Sequence, residues 1–174
     1  ASTFVSGIYM YMQVNQPALM TLDSTQSILD GPDGCHALRI RKLARRVTQL
    51  YDEALAPYNL TIGQMGILAN LQRSRGIGIA ALAERLGSDA STLSRLLKPL
   101  ASAGLLTIIP DPDDRRAKRL QLTEAGAERK RVAAAGWAAA QAHIDAQIGT
   151  SRLAALRFVL DDSLLMLRNG DGGR

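Results

Sequence analysis

The sequence predicts a mainly helical fold that contains one small β-hairpin. Aromatic residues make up only 4% of the 174 residues, and alanine and leucine are abundant, which favours helix over sheet. Apolar residues recur at helical spacing through most of the chain after residue 34. Residues 105–109 and 118–122 are short β-type runs that predict the two strands of the hairpin.

Positive charge is concentrated in the body of the chain, which carries a formal net charge of +5 overall. Residues 1–34 contain three aspartates and no lysine or arginine, a charge of −3. Residues 35–174 contain 21 basic and 13 acidic side chains and therefore carry +8. A basic body favours an anionic partner. We expect residues 1–34, which end in the turn signal SILDGPDG, to be an N-terminal extension.

Several classes of protein are disfavoured by what the sequence lacks. The single cysteine, Cys35, excludes an intrachain disulfide framework and fits a reducing compartment. The sequence has neither a run long and apolar enough for a membrane span nor a secretory signal, so we expect a cytoplasmic protein with no membrane partner. His36 and His143 are far apart and have no further ligands at suitable spacing, so we expect no metal and no cofactor. The motifs of hydrolases, P-loop proteins and dinucleotide-binding enzymes are also missing, which predicts a protein that is not an enzyme.

Two helices are predicted before residue 72. The first begins near Cys35 and ends at or near Ala56, since Pro57 cannot continue it. The second opens at the segment TIGQ, a capping box in which Thr61 and Gln64 satisfy each other's backbone N–H groups. The inner face of this second helix is predicted to consist of Ile62, Met65, Leu68 and Leu71.

Residues 79–104 predict a helix-turn-helix. An apolar stripe from Ile79 to Leu86 indicates a short helix that Gly87 ends, and Ser88 or Asp89 caps the next helix. The inner face of that next helix consists of Leu93, Leu96, Leu97 and Leu100. Cations and small hydroxyls occupy the other side, where they suit guanine acceptors and phosphates in a major groove. We predict DNA contacts by Ser91, Thr92, Ser94, Arg95 and Lys98, although an ordinary solvated helix shows the same pattern.

The segment DPDDRRAKR joins the two predicted strands and concentrates opposite charges at the tip of the hairpin. Aspartates there set the turn, and one of them, Asp114, is predicted to brace an arginine through a bidentate ion pair. The remaining cation then projects outward and suits a narrow minor groove. We predict DNA contacts by Arg115, Arg116 and Lys118; the alternative is a tip whose charges are only solvated. A helix-turn-helix followed by such a hairpin is a winged helix-turn-helix.

Three segments carry a resemblance to the MarR family of transcriptional regulators: LYDEALAPYNLTIGQMGIL, LAERLGSDASTLSRLLKPLASAGLL and DPDDRRAKRLQLTEAG. The resemblance covers Cys35 to Arg168. It implies a winged-helix homodimer that binds double-stranded DNA at a pseudo-palindromic operator, usually as a repressor. It also implies release of the DNA by a small phenolic or lipophilic anionic effector, or by oxidation of a cysteine.

The resemblance divides the chain as follows: 1–34 N-terminal extension, 35–60 first dimerisation helix and loop, 61–123 DNA-binding lobe, 124–168 C-terminal dimerisation helices, 169–174 disordered tail. A leucine stripe from Leu153 to Leu167 runs along the last helix and suits a partner subunit; the alternative is that it belongs to the core of a single chain.

The effector is the part of the prediction with several open alternatives. Candidate pocket residues that combine apolar bodies or anion-pairing groups are Arg39, Tyr51, Tyr58 and Met65. Cys35 is a candidate oxidant sensor, because it lies at the start of a helix beside His36, as in the peroxide-sensing branch of the family. Cys35 lies about two residues before the position of the reactive cysteine in that branch. Of the tyrosines that assist that cysteine, only Tyr51 has a counterpart in this sequence. A winged-helix module that docks RNA or protein is the alternative outside DNA regulation.

Overall fold

The structure, a computed structural model, describes residues 35–74, 76–111 and 117–170. The predicted N-terminal extension and the tip residues 112–116 lie outside these ranges, as do residues 171–174. The elements follow one another as α1 (His36–Leu55), a 3-10 turn (Ala56–Tyr58), α2 (Ile62–Asn70), β1 (Ile77–Gly78), α3 (Ile79–Arg85), α4 (Ala90–Ser102), β2 (Leu106–Pro110), β3 (Lys118–Leu122), α5 (Glu124–Ile148) and α6 (Thr150–Gly170). The predicted fold class, mainly helical with a small hairpin, is confirmed.

The chain divides into two compact units, whose boundaries fall within α1 and α5. The larger unit is Arg45–His143 and contains the helix-turn-helix and the hairpin. The other unit comprises the remaining residues, of which 35–44 and 144–170 are described.

The connection between α1 and α2 follows the predicted signals. Helix α1 ends at Leu55, and Pro57 begins a single 3-10 turn instead of a further α-turn. Asn59 then reverses the chain in the left-handed conformation, with φ 54°. The capping box is confirmed: Gln64 N donates to Thr61 Oγ1 at 3.3 Å, and Thr61 N donates to Gln64 Oε1 at 3.0 Å.

The core of the larger unit brings together α2, α3, α4 and the sheet. Of the inner faces predicted for α2 and α4, Ile62 and Leu96 are half-buried and the other members are buried. The described residues of the core cluster are Leu55, Leu60, Met65, Ile67, Leu68, Leu71, Leu82, Ala83, Leu93, Leu97, Leu100, Leu105, Leu106, Leu120, Leu122 and Ala133. The helix-turn-helix is therefore packed on its leucines, as the periodicity predicts.

The hairpin belongs to an antiparallel sheet of three strands in the order β1-β3-β2. Strand β1 was not predicted, because two residues are too short to show any periodicity. It pairs Ile77 with Leu120, on the edge of β3 that β2 leaves open. Strand β2 begins one residue later than predicted, at Leu106, and β3 has the predicted bounds.

The start of α5 is joined closely to the end of α4. Thr123 Oγ1 accepts a hydrogen bond from Gly126 N at 3.0 Å and donates one to the carbonyl oxygen of Gly104 at 2.7 Å. A Cβ on Gly126 would lie only 1.9 Å from the carbonyl oxygen of Leu105, so only glycine permits this approach. The segment L-T-E-A-G thus supplies a buried leucine, a helix cap and a contact point without a side chain.

The second unit is built around α6. Gly149, with φ 88°, separates α6 from α5, and Ile144 and Leu153 on either side of it are buried. The predicted stripe continues along α6 into exposed positions, where Leu164 and Leu167 are 60% and 72% exposed. The helix extends through residues 169 and 170, which were predicted to belong to the tail. Within the described ranges, none of the helices is long and apolar enough to cross a membrane.

We predict that Gly126→Ala destabilises the protein by about 1–3 kcal/mol, because the added methyl group overlaps the backbone of Leu105 and has no room to move. The free energy of unfolding from urea titration measures this effect. The matched control is Gly78→Ala, whose added Cβ has no atom within 4 Å, and which should change stability by less than about 0.5 kcal/mol. Equal stabilities for the two variants would contradict the close approach.

Candidate nucleic-acid interface

The outer face of α4 is an exposed surface of the helix-turn-helix. The five residues predicted to contact DNA from this helix are exposed: Ser91, Thr92, Ser94, Arg95 and Lys98. On the opposite face Leu93, Leu97 and Leu100 are buried in the core. The structure therefore brings two cations and three hydroxyls onto one exposed surface, the combination that base edges and phosphates accept.

The N-terminus of α4 is held by Asp89, which settles the alternative between Ser88 and Asp89 as the cap. Asp89 Oδ1 accepts hydrogen bonds from the backbone N–H groups of Ser91 and Thr92 at 2.9 and 2.8 Å. Its other oxygen, Oδ2, accepts from the hydroxyl of Thr92 at 2.8 Å. These hydrogen bonds, above all those from Thr92, lower the pKa of Asp89 from 3.8 to about 2. Asp89 is therefore ionised at neutral pH and fixes both the first turn and the Thr92 side chain.

Two glycines end the helices of the helix-turn-helix in the same way. Gly87 follows α3 with φ 56°, and Gly104 follows α4 with φ 67°. In each case the next residue donates across the turn, Ser88 N to the Ala83 carbonyl and Leu105 N to the Leu100 carbonyl, both at 2.9 Å. This is the Schellman arrangement, in which the left-handed residue satisfies the last carbonyls of the helix. Both ends of α4 are thus fixed by local hydrogen bonds.

The wing, which we define as β2, β3 and the segment 111–117 between them, contributes one described member of the predicted interface. Lys118 is exposed, begins β3 and pairs with Pro110. Arg115 and Arg116, and the predicted brace Asp114, lie outside the described residues. The structure shows a different aspartate–arginine pair at the end of the two strands nearest the tip, in which Arg119 Nε donates to Asp111 Oδ2 at 2.6 Å.

The ion pair of Arg119 with Asp111 was not predicted from the sequence. The only signal was that Asp111 stood among the aspartates suited to setting the turn, and no local pattern relates it to a residue eight positions later. Strand β3 is also joined to the segment that precedes β1: Gln121 donates its side-chain N–H to the Arg73 carbonyl, and Arg73 forms an ion pair with Glu124. Leu122 N also donates to the Gln72 carbonyl at 3.1 Å. Strand β3 is therefore hydrogen-bonded to Asp111, which follows β2, and to residues 72–73, which precede β1.

The four candidate pocket residues have separate surroundings in the structure. Met65 is buried in the core, and Tyr58 packs against that core, with its ring where a side chain on Gly136 would lie. Tyr51 donates its hydroxyl proton to Gln141 Oε1. Arg39 is exposed and belongs to the other unit. Packing and hydrogen bonding thus give Met65, Tyr58 and Tyr51 structural roles, and a pocket formed by the four stays a prediction.

Cys35 lies immediately before α1 and is exposed. Its carbonyl oxygen accepts a hydrogen bond from Arg39 N at 3.2 Å, in the first turn of the helix. Its proposed role in oxidant sensing stays a prediction. Among the residues that the structure describes, histidine, cysteine, aspartate and glutamate form no group of three suited to a metal ion.

Comparison with known proteins identifies the family. The sequence pattern of the MarR family matches residues 60–118, which include the helix-turn-helix and most of the wing. The crystal structure of the transcriptional regulator MosR from M. tuberculosis in complex with DNA is 31% identical, with a TM-score of 0.65. The match covers 77% of this chain and 98% of MosR. The chain belongs to the MarR family. Members of this family are non-enzymatic, DNA-binding transcription regulators, and this chain is one of them.

Two further relatives extend the MarR-family comparison. The HTH-type transcriptional regulator YhbI of Bacillus subtilis, which is uncharacterised, is 28% identical over 130 residues. That alignment covers 75% of this chain and 84% of YhbI. The crystal structure of CouR from Rhodococcus jostii bound to p-coumaroyl-CoA is 25% identical, with a TM-score of 0.59, and covers 71% of this chain and 87% of CouR.

We predict that Asp89→Ala lowers the thermal midpoint of unfolding at pH 7, because two N–H groups at the start of α4 lose their acceptor. The pKa of Asp89 is lowered on folding, so its stabilising effect is complete above 3.8 and is lost as the pH falls through about 2. The difference in thermal midpoint between wild type and Asp89→Ala should therefore shrink between pH 4 and pH 2. Asp89→Asn keeps a neutral acceptor, so its difference from Asp89→Ala should not depend on pH. A constant difference between wild type and Asp89→Ala down to pH 2 would contradict the assigned pKa.

Proposed function

We propose that this MarR-family chain is a homodimeric repressor that binds a pseudo-palindromic operator in double-stranded DNA and releases it when an effector binds. The observation that carries the proposal is the exposed face of α4, where Arg95 and Lys98 stand among three hydroxyl side chains. This face lies opposite buried leucines, so its exposure is a consequence of the packing of the lobe. The DNA complex of MosR supports the choice of duplex DNA as the partner.

Each side chain of the α4 face has a role that its chemistry suggests. Arg95 meets the O6 and N7 acceptors of a guanine in the major groove, where a guanidinium binds two acceptors at once. Lys98 pairs with a phosphate as a point charge. Ser91, Thr92 and Ser94 donate hydroxyl protons to phosphates or base edges near the start of the helix.

The wing adds contacts outside the major groove. Lys118, exposed at the start of β3, suits a phosphate. We assign Arg116 to the minor groove and Arg115 to a phosphate, with Asp114 bracing one of them, on the sequence of the tip and the family resemblance. A narrow, A·T-rich minor groove attracts such an arginine because its negative potential is enhanced.

A homodimer explains the exposed leucines of α6. Leu160, Leu164 and Leu167 continue the stripe that begins at the buried Leu153, and all three are exposed in the single chain. A second copy would cover them, since large exposed apolar surfaces mark contacts with partners. Two α4 helices related by a two-fold axis would then read half-sites about one helical turn apart.

The effector is proposed to be a small phenolic or lipophilic anion. CouR, a relative of similar fold, was crystallised with p-coumaroyl-CoA, which contains both a phenolic group and anionic phosphates. The candidate pocket residues on this chain are Arg39, Tyr51, Tyr58 and Met65. Oxidation of Cys35 is the second candidate signal, supported by the exposure of its thiol immediately before α1.

The central experiment is footprinting on the DNA that flanks the protein's own coding region, followed by measurement of affinity for the protected duplex. We predict that Arg95→Ala weakens binding by about 1–3 kcal/mol and relaxes the preference for guanine at one position of each half-site. Affinity should also fall steeply with salt, because several phosphate contacts release counterions.

Arg131→Ala is the matched control for Arg95, because it removes the same charge from the exposed surface of α5, where Arg131 pairs with Glu128. It should leave the base preference unchanged. Protection of RNA but not of duplex DNA at matched salt would overturn the proposed function in favour of an RNA-binding module.

We predict that Leu164→Asp converts the dimer to a monomer of 18.7 kDa and abolishes operator binding at nanomolar concentration. Leu164 is 60% exposed in the single chain, so the added charge prevents association without entering the core of the protomer. Light scattering at micromolar concentration measures the mass. Ser151→Asp adds the same charge to the first turn of α6, away from the stripe, and should remain a dimer. Wild-type protein that runs as a monomer would end the homodimer model.

A further inference from the structure

The ion pair between Asp111 and Arg119 lies where the segment 111–117 joins strands β2 and β3. Arg119 Nε donates to Asp111 Oδ2 at 2.6 Å, a short, charge-assisted hydrogen bond. The Arg119 side chain is only 25% exposed, and the Asp111 side chain only 12%. Solvent therefore screens this pair less than it screens an ion pair on the open surface.

Two other ion pairs among the described residues differ from this one in exposure. In the pairs Arg73–Glu124 and Arg131–Glu128, every side chain is more than half exposed. Exposed pairs of this kind contribute little to stability. The Asp111–Arg119 pair is shielded and joins the residue that follows β2 to a residue of β3, so its loss has consequences for the geometry of the wing.

The register of the hairpin shows what the pair connects. Strand β2 pairs Ile109 with Arg119 and Pro110 with Lys118, and Asp111 N donates to the Ala117 carbonyl at 3.0 Å. Asp111 and Arg119 are therefore diagonal neighbours on one face of the ladder. Their ion pair and the Asp111–Ala117 hydrogen bond together fix both ends of the segment that connects the two strands.

The third strand limits the freedom of Arg119. Strand β1 pairs Gly78 with Arg119, and a Cβ on the nearby Gly76 would lie 2.8 Å from the Cβ of Arg119. The absence of a side chain at Gly76 leaves the room that Arg119 occupies. The arginine is thus held between β1 on one side and Asp111 on the other.

We propose that Asp111 and Arg119 are positioning residues for DNA binding, whose ion pair fixes the geometry with which the segment 111–117 joins β2 and β3. Lys118 lies between the two anchor points Ala117 and Arg119, so the same pair sets its position. The inference rests on the proposed function, that the lobe binds duplex DNA. Neither member of the pair touches DNA in this role.

The direction in which DNA affinity changes on loss of the Asp111 charge distinguishes the positioning role from an effect of net charge alone. DNA is a polyanion, so removal of a negative charge from the wing strengthens binding if only net charge matters. Loss of the positioning ion pair weakens binding, because the wing contacts no longer reach their targets together. Asp111→Asn removes the charge with little change of shape and therefore tests the two accounts against each other.

The experiment measures the affinity of the full chain for its footprinted operator by fluorescence anisotropy at fixed salt. Asp111→Asn should bind about tenfold more weakly than wild type, the lower part of the range for loss of a specific contact. The matched control is Glu128→Gln, which removes the same charge from an exposed ion pair on α5 and should not weaken binding. Asp111→Asn that binds as tightly as wild type, or more tightly, would overturn the positioning role.

A second measurement distinguishes positioning from general destabilisation. The loss caused by Asp111→Asn should be larger on operators with A·T-rich flanks than on those with G·C-rich flanks, because the wing is aimed at the minor groove. The base preference of α4 should not change. Equal loss on both kinds of flank, together with a lowered thermal midpoint, would show a merely structural role and overturn the proposal.

The exchange of the two charges provides a third test. Arg119→Asp alone should bind poorly, and the double variant Asp111→Arg with Arg119→Asp should recover most of the affinity at unchanged net charge. A folded double variant that binds no better than Arg119→Asp would contradict the proposal. Failure of the wild type to bind any duplex would instead overturn the proposed function, and the positioning role with it.

Discussion

The orientation of α4 depends on the burial of three leucines on its inner face. Leu93, Leu97 and Leu100 are at most 5% exposed, and each fully buried leucine side chain stabilises the fold by about 1.5–3 kcal/mol relative to an exposed one. A turn of the helix by one residue position would replace them with Ser94, Lys98 and Ala101. A lysine ammonium without a partner would then enter an apolar core, at a large cost in free energy. The exposed side chains of α4 are therefore directed by the apolar face behind them.

Burial of the leucines fixes the rotation of α4 about its axis but not its position along that axis. Hydrogen bonds at the two ends of the helix fix that position. Asp89 holds the first turn, and Gly104 ends the last turn so that Leu105 returns immediately to the core. Between them Pro99 lies inside the helix, where it cannot donate a hydrogen bond to the carbonyl of Arg95. Local hydrogen bonds at both ends therefore compensate for an internal one that the sequence forgoes.

Features that depend on neighbouring residues could be predicted from the sequence, and features that depend on distant pairing could not. The capping box of Thr61 and Gln64 and the helix end at Gly87 involve residues within one or two turns, and both are confirmed. Strand β1 has only two residues and is a strand only because it pairs with β3, which lies far along the chain. A register shift of one residue would likewise move Arg119 to the opposite face of its strand, away from Asp111.

The candidate site shows the same division. The exposed face of α4 follows from helical periodicity, because the positions of the leucines determine where the hydrophilic residues lie. Side chains such as Tyr51 have no such constraint, since a tyrosine serves equally in a core, a hydrogen bond or a ligand pocket. Its partner Gln141 is 90 positions away, and only the packing of α1 against α5 brings the two together.

The joint between α4 and α5 has a mechanical consequence. Thr123 binds the Gly104 carbonyl and caps α5, and Gly126 lies against the Leu105 backbone without an intervening side chain. Such a joint contains no flexible linker, so the end of α4 and the start of α5 must move as one rigid body. Helix α5 continues without interruption to Ile148. A tilt of residues 124–143 of α5, which belong to the same unit as α4, therefore reorients α4 with them.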